Sequence, residues 1–273
     1  MYAELRAPCP SLSNHTYITD MGNPNPAATG AIVATYIAGE AVGAITQMIL
    51  GDKLGRKRFM QMMCIIVTIG TTIQTAAQSY AMFLVGRILT GVAVGGLIGT
   101  VPIYNSEISP PESRGTIGGL SGYMISLGAC IANWIGYLCG YASPTTTFQW
   151  RFPLAFQVPP GIVLFLGLEY VLPDSPRWLI RCGRDEDARR AFGRIRRGGG
   201  DGEREFEDMK EQILFEKSRE ITSIKEAWQK YRKRVAVAVF VQAMTSLTGV
   251  NVISYVPPLP TPYTLPSSKL TDS

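Results

Sequence analysis

Two charged clusters hold most of the residues able to do chemistry in this chain. One is Gly51-Asp-Lys-Leu-Gly-Arg-Lys-Arg58, and the other runs from Glu107 to Arg114 within EISPPESR. Both are wedged between long apolar runs. Lipid-facing segments avoid charge, so mixed-sign clusters at their junctions predict short, constrained loops. Asp52 and Arg56 are spaced to pair across helix ends, and Gly51 and Gly55 predict a tight turn between the helices. Glu107 and Arg114 flank Pro110-Pro111, which forces a helix break, and Arg177 lies just past the fifth apolar run. Other chemistry has little raw material. The only histidine is His15, and no nucleophile–base pair, metal cluster or phosphate loop is legible, so neither an enzyme nor a cofactor is expected. The five cysteines are odd in number and form no CxxC; Cys64, Cys130 and Cys139 read as small packing residues.

The elements that must position these charges are long and uncharged. Charged residues are 17% of the 273, against about 25% in soluble proteins. Residues 59–79, 88–106 and 115–150 contain none, and about 20 apolar residues suffice to cross a bilayer. Spans are expected at Thr29–Leu50, Phe59–Ser79, Ala81–Tyr104, Ile117–Tyr141, Phe152–Leu172 and Val235–Val256. This is an all-α integral membrane chain of about six transmembrane helices, since hydrocarbon demands internal satisfaction of every backbone polar group. Gly91-Val-Ala-Val-Gly95 and Gly95–Gly99 suit close helix packing, and their spacing lacks the GxGxxG of a dinucleotide turn.

The organisation follows. Residues 1–28 read as an irregular extracellular tail without a signal peptide, and 29–172 as five spans. Residues 173–234 form a hydrophilic stretch of two or three amphipathic helices at the membrane surface, 235–256 a further span, and 257–273 a Pro- and Ser-rich disordered tail. Basic residues follow the first, third and fifth spans, which places those loops and 173–234 in the cytoplasm. Asn14-His15-Thr16 would then be an extracellular glycosylation acceptor. The basic residues punctuate apolar spans and form no continuous face, so the net charge of +5 does not signal nucleic acid.

Taken together, GDKLGRK, GRILTGVAVGGLIGTVPIYNSEISPPESRG, PDSPRWL and LTGVNVISY closely resemble, in order, the motifs of the sugar porter family of the major facilitator superfamily, in its fungal hexose-transporter-like branch. The resemblance covers about residues 24–256. It implies a partial major-facilitator fold with a cytoplasmic helical loop, lacking the family's helix one and everything after helix seven. The implied activity is transport of a sugar or related small polar solute by alternating access, with proton coupling open in the full-length form and the plasma membrane as the site. The alternative is a non-transporting truncated fragment: a gene-model artefact, a pseudogene product or a partner of full-length porters.

The resemblance also implies residue roles. Asp52, Gly55, Arg56, Glu107, Arg114 and Arg177 would form the latch that holds one access state closed, with Asp174 where the family has Glu. Arg87 would serve coupling, or else extend to the extracellular interface. Solute binding would fall to Asn251, Tyr255, Thr245, Ser246 and Gln242. Gly122 and Thr245-Ser246 stand where the family carries glutamines, which puts hexose specificity in question. Glu40 lies inside a span where the family is uncharged, and reads either as a functional charge or as a tolerated one.

Overall fold

The computed structural model describes residues 26–110, 112–141, 147–195, 202–218 and 224–247, and every regular element among them is helical. In chain order these are α1 (Pro26–Leu54), α2 (Arg56–Thr75), α3 (Tyr80–Ile108), α4 (Arg114–Gly140), α5 (Phe148–Ala155), α6 (Val158–Tyr170), α7 (Pro176–Arg181), α8 (Asp185–Ile195), α9 (Gly202–Ser218) and α10 (Ile224–Leu247). Gly30–Leu54, Tyr80–Ile108, Arg114–Cys139 and Phe148–Tyr170 are long and apolar enough to cross a membrane. Between the first two runs α2, charged only in its first turn.

Glycines set how closely the bundle packs. α1 and α3 run parallel and cross where Gly39 and Gly43 meet Gly91 and Gly95. A Cβ on Gly43 would lie 2.1 Å from the Val92 carbonyl oxygen, and one on Gly95 would lie 2.1 Å from that of Glu40. No side chain fits in that seam. The Gly91–Gly95 pair is legible in the sequence as a packing motif; its partner Gly39–Gly43 on α1 is the half that sequence reading missed. Against α2 the fit is polar as well as small. Gln74 donates to the Gly86 carbonyl at 2.9 Å and to Thr90 Oγ1 at 2.5 Å, both buried. Satisfying those groups internally is what hydrocarbon requires. At the end of the bundle remote from the basic clusters, Ile32, Phe83, Trp150 and Leu154 form a core, and Arg151 donates to the Ala77 carbonyl at 3.1 Å.

Three expectations need correction. The turn between the first two spans does not use both glycines. α1 continues through Gly51 to Leu54, and Gly55 alone turns the chain, at φ 85° and ψ 153°. The fifth span is not one helix from Phe152. It begins at Phe148 and is interrupted at Phe156-Gln157, because Pro159 and Pro160 have no N–H to offer the preceding turn. Cys130 is not a packing residue: it is exposed, whereas Cys64 and Cys139 are buried.

The hydrophilic stretch folds as a second small core. Leu179, Ile180, Ala188, Ala191, Phe206 and Ile213 from α7, α8 and α9 pack together. Burial of Phe206 alone contributes about 1.5–3 kcal/mol. Surface ion pairs join α8 to α9, Arg189 to Glu203 at 2.5 Å and Lys210 to Asp185 at 2.5 Å. α10 begins at Ile224, so it runs through the expected boundary at 234/235, and its described side chains from Tyr231 to Met244 are exposed.

Candidate functional site: a charged node at the ends of α1, α2, α3 and α7

The ends of four helices converge on Arg56. It is the first residue of α2, and the Gly55 turn swings it back under the end of α1. Its guanidinium is within 2.6 Å of Asp52 Oδ1 and 3.1 Å of Glu107 Oε1, and it donates to the Gly51 carbonyl at 3.3 Å. The Arg56 and Glu107 side chains are only 10% and 13% exposed, whereas Asp52 is 67% exposed. The pair to Glu107 is therefore the buried one, and it ties α2 to the last turn of α3. Buried charges of this kind persist only with excellent geometry. Glu107 Oε2 is buried without a hydrogen bond among the described residues.

Trp178 closes the node from α7. Its ring lies over Gly55, where an added Cβ would sit 3.0 Å from three ring atoms, and its Nε1–H donates to the Asp52 carbonyl at 2.7 Å. α7 is started for this purpose by local chemistry: Ser175 caps it by accepting from the Trp178 N–H at 3.3 Å, and Pro176 occupies its first turn. Tyr104 donates to the Pro173 carbonyl at 2.6 Å, fixing the strand of chain that leads from α6 into α7. Trp178 was missed as a site residue. Its signal was a tryptophan in an otherwise charged stretch, which needs an apolar surface for its ring and an acceptor for its N–H.

Arg114 and Arg177 stand beside the node. They line, with Glu107, Ser109, Pro110 and Asp208, a cleft of about 210 Å³ between α3, α7 and α9. Neither forms an ion pair among the described residues. Of the expected latch set, the structure thus brings Asp52, Gly55, Arg56 and Glu107 into contact and leaves Arg114 and Arg177 facing the same cleft.

The other expected sites lie apart. Arg87 is half-buried on α3, with its guanidinium 5.0 Å from the Phe83 ring centroid and 5.9 Å from that of Tyr36 on α1. Aromatic faces thus contribute to the attraction a cation inside a span needs, about 0.5–2 kcal/mol each. Glu40 is half-buried one helical turn beyond Tyr36. Gly122 sits on the exposed face of α4, with no atom within 4 Å of an added Cβ. Gln242 is exposed on α10, which also carries Thr245 and Ser246; Asn251 and Tyr255 lie outside the described residues. The described residues contain no group of His, Cys, Asp and Glu that could hold a metal ion.

Comparison with known proteins identifies the family. The family profile described as "Sugar (and other) transporter" matches residues 3–259. The chain is 41% identical over 241 residues to the MFS-type transporter criB of Aspergillus cristatus, covering 85% of this chain and 51% of that protein. It is 37% identical over 204 residues to the glucose transporter GlcP of Staphylococcus epidermidis (75% and 44%), and 33% identical over 230 residues to the galactose-proton symporter of Escherichia coli K12 (83% and 47%). The chain spans about half the length of the curated relatives it matches. Its fold is similar to the partially occluded, inward-open xylose transporter XylE of E. coli, with a TM-score of 0.73 at 18% identity over 92% of this chain and 61% of that one. The chain is an integral, multi-pass membrane protein, and it belongs to the sugar transporter family of the major facilitator superfamily.

Proposed function

We propose that this chain acts in the transport of a sugar or related small polar solute across the plasma membrane by alternating access, and that it has no enzymatic activity. Residues 29–172 supply five helices of the transporter's N-terminal half, 173–234 the cytoplasmic helical loop, and 235–256 the first helix of the other half. The node around Arg56 is the latch. Alternating access needs an interface with two discrete arrangements, and a buried ion pair between helix ends is such an element: intact it holds the ends together, broken it leaves charges that only water can stabilise. Asp52, Gly55, Arg56 and Glu107 form its closed state, with Arg114 and Arg177 as the charges it engages on rearrangement. Solute contacts fall to Gln242, Thr245, Ser246, Asn251 and Tyr255. Arg87 is the residue through which protons act if the solute is driven by them.

The observation that carries this reading is the buried Arg56–Glu107 pair, formed in a chain whose family profile spans nearly its whole length. Solute counterflow in vesicles carrying the chain tests it, with a panel of hexoses, pentoses and polyols. Saturable accumulation of at least one labelled solute is expected. Flux of every solute at the level of empty vesicles overturns it.

A further inference from the structure

The first turns of α10 carry a run of like charge that the latch does not use. Lys230, Arg232, Lys233 and Arg234 are four basic residues in five. Residues 219–234 hold six basic residues against two acidic ones, Glu220 and Glu226, so positive charge exceeds negative by four. No charged residue follows Arg234 until Lys269. Arg232, Lys233 and Arg234 are exposed, and none of them joins an ion pair among the described residues. Arg234 lies over the Tyr231 ring, 5.7 Å from its centroid, which leaves its charge uncancelled.

The helix turns these cations into a collar. Three consecutive helical positions fan through about 200° of the circumference at heights differing by only about 3 Å. Immediately beyond them the surface is apolar: Val235, Val237, Val239 and Phe240 are all exposed. From Val235 to Leu247 α10 rises about 18 Å, against about 15 Å for one leaflet of the hydrocarbon core. Tyr231 and Trp228, also exposed, stand about one and two turns to the other side of the collar, where amphipathic rings meet headgroups. A helix that changes from cationic to apolar at one level fits a surface that changes from anionic to hydrocarbon at one level. An acidic peptide supplies only the anionic part, and an uncharged lipid only the hydrocarbon.

We propose that the collar of Arg232, Lys233 and Arg234 binds the headgroups of anionic phospholipids in the cytoplasmic leaflet. A zwitterionic headgroup brings its own cation with its phosphate and leaves the surplus of positive charge as it was. An anionic headgroup neutralises a collar cation without importing another. The collar rests on the reading of 235–256 as a membrane span and is independent of transport.

Brominated lipids test it locally. Val237→Trp places an indole at an exposed apolar position one helical turn from Lys233 and Arg234, and subtracting the parent's fluorescence isolates its signal. The full chain is placed in vesicles mixing phosphatidylglycerol with phosphatidylcholine, and one lipid at a time is brominated. Phosphatidylglycerol is expected beside the indole at about five times its bulk proportion relative to phosphatidylcholine, for one headgroup engaging one cation. The enrichment should vanish in Arg232→Gln/Lys233→Gln/Arg234→Gln and persist in Arg232→Lys/Arg234→Lys, which keeps the charge. It should also fall in the unchanged collar at about 1 M salt, where screening shortens to about 3 Å. Bulk proportions beside the indole at low salt, or an enrichment that neither the triple variant nor salt diminishes, overturn the collar. Quenching by neither lipid overturns the span together with the collar. Solute counterflow decides transport separately, so the two readings fail by different results.

Discussion

Replacing Arg56 by methionine isolates the energetics of the node. The guanidinium is 10% exposed and holds two carboxylates, of which Glu107 is buried and Asp52 is largely in water. Removing it strips the buried Glu107 carboxylate of its cation in a site where its second oxygen already lacks a hydrogen-bond partner among the described residues. An uncompensated buried charge of this kind costs about 3–5 kcal/mol. Asp52 adds little, because water screens an exposed i,i+4 pair to a few tenths of a kcal/mol. Glu107→Gln is the milder change: Arg56 keeps Asp52 and the Gly51 carbonyl, so the loss is that of one charged hydrogen bond, about 1.5–3 kcal/mol. The double replacement Arg56→Met/Glu107→Leu removes both charges together, and its cost should fall well below the sum of the two single ones. Thermal unfolding in lipid nanodiscs measures all three. At about 2–4 °C per kcal/mol, Arg56→Met should lower Tm by about 6–20 °C, with the double variant returning most of the way. Additive losses in the double variant, or an Arg56→Met Tm within about 2 °C of the parent, would refute the reasoning that the pair is buried and mutually dependent.

Three further outcomes are expected. Gly55→Ala meets both a backbone conformation open essentially to glycine and the Trp178 ring at 3.0 Å; it should cost more than the ~1–3 kcal/mol of backbone strain alone, and Trp178→Phe, which loses the bond to Asp52 together with the indole atoms over Gly55, should cost at least about 0.5–1.5 kcal/mol by the same melts. Gly95→Ala should destabilise by about 1–3 kcal/mol because its Cβ falls 2.1 Å from the Glu40 carbonyl, whereas Gly118→Ala, with open space around it, should gain up to about 1 kcal/mol; equal effects would contradict the seam. The hydrogen bond to Asp185 holds the Lys210 ammonium above the ordinary lysine range. The stabilisation is present below the unfolded-state lysine pKa and lost as pH rises through the raised folded value, so parent and Lys210→Met unfolding curves should converge at strongly alkaline pH.

Much of the bundle is written in composition. Uncharged runs of the right length predict α2, α3 and α4, and the charged junctions between them predict where helices end. The limits of that reading are physical. Gly51 and Gly55 look alike in sequence, and only the docking of Trp178 decides which takes the left-handed turn. The interruption of the fifth span was legible in Pro159-Pro160, yet an apolar average over the span conceals it. Glu107 and Arg56 are far apart in the chain, so no spacing rule pairs them; their meeting depends on the close parallel approach of α1 and α3, which rests on glycines that carry no side-chain signal. Arg87 could be placed inside a span by counting, but the Phe83 and Tyr36 rings that hold it belong to two different helices. The expected solute residues were named from a resemblance alone, and those at Asn251 and Tyr255 lie outside the described part of the chain.

The most direct test of the central claim is solute counterflow with the parent chain and Arg56→Met at matched insertion into vesicles. A latch that must close and reopen in each cycle predicts saturable accumulation by the parent and its loss in the variant, with both proteins equally inserted. Undiminished accumulation by Arg56→Met would mean that the buried node holds the helices together without taking part in the cycle, and would contradict the account.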